Sequence, residues 1–128
     1  MKISHIGIVV RNIDDSLVRH IMMGYKKTSD IVEEKSFLTR NVLVTKDNIT
    51  LELIEPIDAR SPVYSLLGKG LYHLAYKCED IYECIGNLRN IHCILFDGPL
   101  KSKLHKTNIA FMYTPDAYII ELIEGKEV

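Results

Sequence analysis

The chain has 128 residues, a formal net charge of −1, 47% hydrophobic residues and 26% charged residues. That is ordinary chemistry for one globular domain with a substantial core, and the near-neutral balance excludes bulk attraction to nucleic acid or membrane as the basis of function. No apolar run approaches the roughly 20 residues of a bilayer span. The start, Met1-Lys2-Ile3-Ser4-His5, runs directly into a strand pattern without a signal-peptide layout. The expected location is the cytoplasm. Cys78, Cys84 and Cys93 are odd in number and lack zinc-ribbon or redox-pair spacing, so they read as reduced, packed thiols.

Taken in order, Ile3 to Val10 reads as a buried strand with His5 near its start. Asn12 caps a helix carrying Ile13, Leu17 and Ile21 at helical spacing, with Asp15 in the first turn and Gly24 as its stop. Met22 and Met23 are expected to pack. Ser29 to Thr45 is strand-like but irregular. Lys46-Asp47-Asn48 is a turn, and Ile49 to Ile54 is a strand ending at Pro56. Residues 57–70 form a linker, where Ser61 caps a short helix through Leu66 with Pro62 in its first turn. Leu71 to Tyr76 is again a strand with a histidine, His73, near its start. Asp80 caps the next helix, with Glu83 completing a capping pair and Ile81, Ile85 and Leu88 as its stripe. His92 to Phe96 is a short strand, Asp97-Gly98-Pro99 a turn, Lys101 to Lys106 a basic loop, and Asn108 to Tyr113 a strand. Pro115-Asp116-Ala117 turns into the last strand, Tyr118-Ile119-Ile120-Glu121-Leu122-Ile123-Glu124. That strand is apolar enough to be covered on both faces.

The second half repeats the first. His5 precedes Glu52 by 47 positions and His73 precedes Glu121 by 48 (52 − 5 and 121 − 73). Each His begins a strand followed by a capped helix, and each Glu sits in an (L/I)-E-L-I-E strand. One histidine in a strand is ordinarily a satisfied core residue, and one glutamate ordinarily an edge or paired one. Four at matched places in two repeats are much less easily accidental. A buried carboxylate also needs compensation, since leaving it unpaired costs several kcal/mol or more. If the sheets of a two-module fold curl toward each other, the four side chains converge. Two imidazoles and two carboxylates suit a divalent metal of intermediate hardness, such as Ni, Co, Zn, Fe or Mn. With no sulfur offered, a structural zinc site is disfavoured. Two octahedral positions would remain for substrate oxygens. Such a metal stabilises the enediolate formed when a proton leaves the carbon beside a carbonyl, and a neighbouring Glu can carry that proton.

The motifs His5-Ile-Gly-Ile-Val-Val-Arg-Asn-Ile, Tyr72-His73-Leu74-Ala75-Tyr76-Lys77-Cys78-Glu79-Asp80-Ile81 and Thr114-Pro115-Asp116-Ala117-Tyr118-Ile119-Ile120-Glu121-Leu122-Ile123 resemble the vicinal oxygen chelate superfamily. This group holds glyoxalase I, methylmalonyl-CoA epimerase, extradiol dioxygenases and antibiotic-resistance binding proteins. The resemblance covers essentially the whole chain. It implies an α+β fold of two tandem βαβββ modules forming a curled mixed sheet around a metal site, with module one at 1–56 and module two at 71–128. It carries over His5, Glu52, His73 and Glu121 as metal ligands, and it implies a homodimer.

Within the superfamily, the pattern from Pro115 to Glu124 resembles bacterial glyoxalase I. The first reading is therefore a metal-dependent lyase or isomerase of that type, with Ni, Co or Zn, in which Glu121 and Glu52 shuttle the proton. The stretch Leu51-Glu52-Leu53-Ile54-Glu55-Pro56, with Ser61-Pro62 and Gly70-Leu71-Tyr72-His73, resembles methylmalonyl-CoA epimerase instead. That enzyme needs a second acid from an earlier strand. Glu33 and Glu34 lie near, although Glu-Glu-Lys ordinarily marks a solvated turn. A dioxygenase is disfavoured, because a His is expected where Glu52 stands. A non-catalytic drug-binding protein is the alternative from another class. The substrate class is a small carbonyl compound or a thioester. Arg11, Lys101, Lys103 and Lys106, with His105 among them, are the candidates for holding its carboxylates or phosphates. Phe37, Phe111 and Tyr113 either line an apolar pocket or fill the core.

Overall fold

The computed structural model describes residues 1–126. Among them, nine strands and two α-helices follow in the order β1 (Lys2–Val9), α1 (Ile13–Met22), β2 (Lys26–Lys27), β3 (Val32–Glu34), β4 (Thr39–Lys46), β5 (Ile49–Pro56), β6 (Leu71–Cys78), α2 (Ile81–Arg89), β7 (Ile94–Ser102), β8 (Thr107–Tyr113) and β9 (Ile119–Glu124). The chain forms two compact α+β units, His5–Tyr72 and Met1–Ser4 with His73–Val128.

In the first unit, β1 lies parallel to β5, β4 and β5 form an antiparallel hairpin, and β2 and β3 each pair antiparallel with β4. Asp47 and Asn48 close the hairpin with φ of 51° and 66°, the left-handed conformation that Asp and Asn tolerate. Leu51 and Leu53 alternate with Glu52 and Ile54 along β5, so the leucines join Ile13, Val42 and Val44 beneath α1, and Glu52 is turned to the opposite face. Asn12 caps α1 by accepting from the Asp15 N–H at 2.9 Å. Glu55 also accepts from the Ile13 N–H at 3.1 Å, placing an anion at the positive end of the helix.

The second unit repeats this plan. β6 lies parallel to β9, and β8 pairs antiparallel with both β9 and β7. Ile120 and Leu122 pack with Ala110 and Met112 against Ile81, Ile85 and Leu88 of α2, leaving Glu121 on the other face. Asp80 accepts from the Tyr82 and Glu83 N–H groups, both at 3.1 Å. Glu124 accepts from the Ile81 N–H at 3.1 Å. Asp80→Ala is expected to destabilise the fold by about 1 kcal/mol, read as a lower denaturant midpoint at unchanged slope. The three cysteines are buried, as expected of packed thiols.

Four local expectations are corrected. The irregular stretch from Ser29 divides into β3 and β4, and Lys26–Lys27 adds a two-residue strand. The short helix in 57–70 is a single 3₁₀ turn at Tyr64–Leu66 with no side-chain cap. The Ser61 hydroxyl donates to the Phe37 carbonyl at 2.7 Å and accepts from the Val63 N–H at 3.4 Å. Asp97-Gly98-Pro99 does not end a strand. β7 runs through it with a shift in register and resumes pairing at Leu100 and Ile109. Gly98 permits this with φ of 86°, and a Cβ there would meet the Ile109 carbonyl oxygen at 2.6 Å. Met22 and Met23, expected to pack, are exposed.

Candidate metal centre

The first unit brings His5 and Glu52 together. His5 Nε2 lies 2.9 Å from Glu52 Oε1, and the residues are only 2% and 4% exposed. Strand register explains the meeting. Gly7 stands opposite Glu52, and His5 projects from the same face two residues earlier. The other carboxylate oxygen, Oε2, accepts from Asn41 Nδ2 at 2.6 Å, and Asn41 Oδ1 accepts from Thr39 Oγ1 at 2.7 Å. Thr39 and Asn41 alternate along β4 on the face that carries Glu52, so a buried polar chain fixes this carboxylate. Asn41→Ala removes the clamp, and a fall of about 10–100-fold in divalent-cation affinity is expected, measured by competition with a chromophoric chelator.

The second unit makes the same pair. His73 Nε2 lies 3.0 Å from Glu121 Oε1, with exposures of 5% and 2%. Ala75 stands opposite Glu121 and is the small residue here, as Gly7 is in the first unit. The Phe111 ring packs edge-on against His73 with centroids 5.7 Å apart. Phe111 thus flanks the pair and is also buried, whereas Tyr113 is exposed and Phe37 half-buried. His105 Nε2 lies 3.9 Å from the second oxygen of Glu121. Asn41 did not stand out in the sequence, and His105 was expected with the basic loop as a substrate contact, not beside Glu121.

Each unit brings an imidazole nitrogen and a carboxylate oxygen to the spacing that two donors on one divalent cation would have. Two donors each about 2.1 Å from one ion, and 90° apart around it, lie about 3.0 Å from each other. The 2.9 and 3.0 Å His–Glu spacings match that edge. At His5 and Glu52 the same spacing also suits a charge-assisted hydrogen bond when the imidazole carries the proton. Either state answers the need of a buried carboxylate for compensation.

The substrate candidates lie at the surface. Lys101 is exposed on β7, and Lys103 and Lys106 are exposed in the turn that follows. The expected basic loop therefore begins with a strand, and its histidine turns inward while its lysines face water. Arg11 is exposed just past β1, beside Gly68. Arg60, in the connection that also holds Gly68, is committed to Asp58 at 2.7 Å. Its hydrogen bonds hold the Asp58 carboxyl down at about 2. Glu33 is exposed, but Glu34, expected in a solvated turn, is buried at the end of β3. Its register partner is Thr39, which puts Glu34 on the same face as Asn41 and Glu52.

Two α+β units that each bury a His–Glu pair between parallel strands define a class of proteins built from repeated α+β modules. Residues 4–111 match the Glyoxalase/Bleomycin resistance protein/Dioxygenase superfamily, and the chain belongs to that superfamily. A curated relative, the uncharacterized protein YqjC of Bacillus subtilis strain 168, is 30% identical over 98% of this chain and 93% of its own. Among solved structures, the hypothetical protein BH1468 from Bacillus halodurans C-125 superposes with a TM-score of 0.87, at 23% identity, over 99% of this chain and 96% of that one. Methylmalonyl-CoA epimerase from Mycobacterium tuberculosis superposes with a TM-score of 0.82, at 22% identity, over 98% and 88%. The Streptomyces coelicolor epimerase in complex with 2-nitronate-propionyl-CoA gives 0.82, at 22% identity, over 98% and 97%. These structural likenesses establish the fold. Among the described residues no helix is long and apolar enough to cross a membrane.

Proposed function

We propose that the protein is a metal-dependent enzyme that moves a proton on the carbon beside a carbonyl, acting as an epimerase of an acyl-CoA thioester. The observation that carries this reading is the pair of buried His–Glu couples at matched register, His5 with Glu52 and His73 with Glu121. On this reading the four residues serve as donors to a divalent cation, for which Ni, Co and Zn are the first candidates. When bound, the cation polarises the substrate carbonyl and stabilises the negative charge that develops there.

The chain's own residues do the rest. Glu121, as the carboxylate, accepts the α-proton. Glu34, as the carboxylic acid, returns a proton to the opposite face, and the inverted centre results. Burial of Glu34 on the same sheet face as Glu52 supports its role as the second acid. Glu52 is held by Asn41 and serves as a fixed ligand. Lys101, Lys103, Lys106 and Arg11 are exposed cations suited to the phosphates of coenzyme A. Replacing the three lysines with Ala is expected to raise KM for a CoA thioester several-fold with kcat nearly unchanged, an effect that fades as salt is added.

The names of the structural relatives support a thioester over the glyoxalase I substrate expected first, although both reactions share the proton transfer. The test is exchange of solvent deuterium into methylmalonyl-CoA by metal-loaded protein, run beside methylglyoxal with a thiol. Exchange above background supports the epimerase. Thioester formation from methylglyoxal without exchange would assign the lyase. Neither reaction, in a folded protein that binds these compounds, would make it a binding protein.

A further inference from the structure

The turn between β7 and β8 holds a histidine that the four-donor reading leaves unused. His105 is positioned by Ser102, whose hydroxyl accepts from the His105 N–H at 3.0 Å and whose carbonyl accepts from the Lys106 N–H at 2.9 Å. Lys103 and Lys106 point to water, but the His105 side chain is only 9% exposed. Its Nε2 lies 3.9 Å from Glu121 Oε2, while Glu121 Oε1 faces His73 at 3.0 Å.

The 3.9 Å spacing separates two kinds of contact. It is beyond the reach of a direct hydrogen bond. It is within the span of two donors on one ion, which lie up to about 4.2 Å apart when each is about 2.1 Å from it. The first unit offers a contrast. There the second oxygen of Glu52 is taken by Asn41 Nδ2 at 2.6 Å, a group with hydrogens to donate and no lone pair suited to a metal. Where the first module has a fixed amide, the second has an imidazole, which is a ligand by nature.

We infer that His105 is a fifth protein donor to the cation held by Glu121, and that it yields its position when a substrate oxygen arrives. This deepens the proposed function and rests on its metal site. Glu121 would then present one oxygen toward each of two imidazoles, His73 and His105. An imidazole in that place would keep adventitious ligands from a buried cation, and a substrate oxygen would have to compete with it.

Cobalt(II) titrated into metal-free wild-type, His105→Gln and His105→Ala protein tests this, with visible absorption reporting coordination and a chromophoric chelator reporting affinity. Gln retains size and polarity if Ala disturbs the turn, and far-UV circular dichroism checks the fold of each. The expected result is about tenfold or more weaker binding in both variants, with cobalt bands changed in position and intensity. Methylmalonyl-CoA added to the wild type should shift its bands in the same sense. Wild-type affinity and an unchanged spectrum in both variants would overturn the inference and leave the four-donor site standing. No cobalt uptake by the wild type would overturn the metal site itself, and the inference with it.

Discussion

Glu121→Gln is expected to lower the rate of deuterium exchange into methylmalonyl-CoA by about 10²–10⁴-fold, the range for loss of a positioned general base. The amide keeps the size of the carboxylate but cannot accept the proton. Glu121 is buried at 2% exposure, with His73 at 3.0 Å on one oxygen and His105 at 3.9 Å on the other. The effect should fall on kcat more than on KM, because the base acts in the transition state. Glu52→Gln should cost less in kcat and more in cation affinity, since Asn41 already fixes that carboxylate at 2.6 Å. Exchange within twofold of wild type in Glu121→Gln would remove this residue from the chemistry.

The largest expected effect on folding comes from the residue next to it. Leu122 has no exposed surface and packs with Ile81, Ile85, Met112 and Ile120 under α2. Leu122→Ala is expected to destabilise the protein by about 2–5 kcal/mol, the loss of transfer energy plus a cavity that the strand cannot close. Denaturant unfolding would show a lower midpoint. Adjacent positions on β9 thus separate two functions by the alternation of a strand. One side chain faces the helix and holds the fold, and its neighbour faces the proposed chemistry. A cost below about 1 kcal/mol would mean that α2 contributes little to this core.

Much of this was legible because duplication writes itself twice. The intervals from His to Glu match, and so do the small residues Gly7 and Ala75 that stand opposite each Glu. The second glutamate of each motif carried a signal that was present but unread. Glu55 and Glu124 lie three positions past Glu52 and Glu121, and each accepts from the first N–H of its module's helix. Asn41 was hidden because β3 and β4 lack clean alternation, so no face could be assigned before the register was known. His105 was read with the basic loop as a substrate contact, so its place beside Glu121 was missed. It has no counterpart in the first module, and its lysine neighbours gave it the character of a solvated loop. The path of β7 through Asp97-Gly98-Pro99 depends on the register across β8, which a local turn signal does not contain.

The central claim is that His5, Glu52, His73 and Glu121 hold one divalent cation. Calorimetric titration of metal-free protein with nickel, cobalt and zinc, in the wild type and in His5→Ala and His73→Ala, tests it most directly. The account predicts one equivalent per chain in the wild type and a severe loss of affinity in either variant, because each removes a donor from the same ion. Two independent equivalents, with each variant losing only one of them, would show that the couples act separately. No uptake by folded wild-type protein would contradict the account outright.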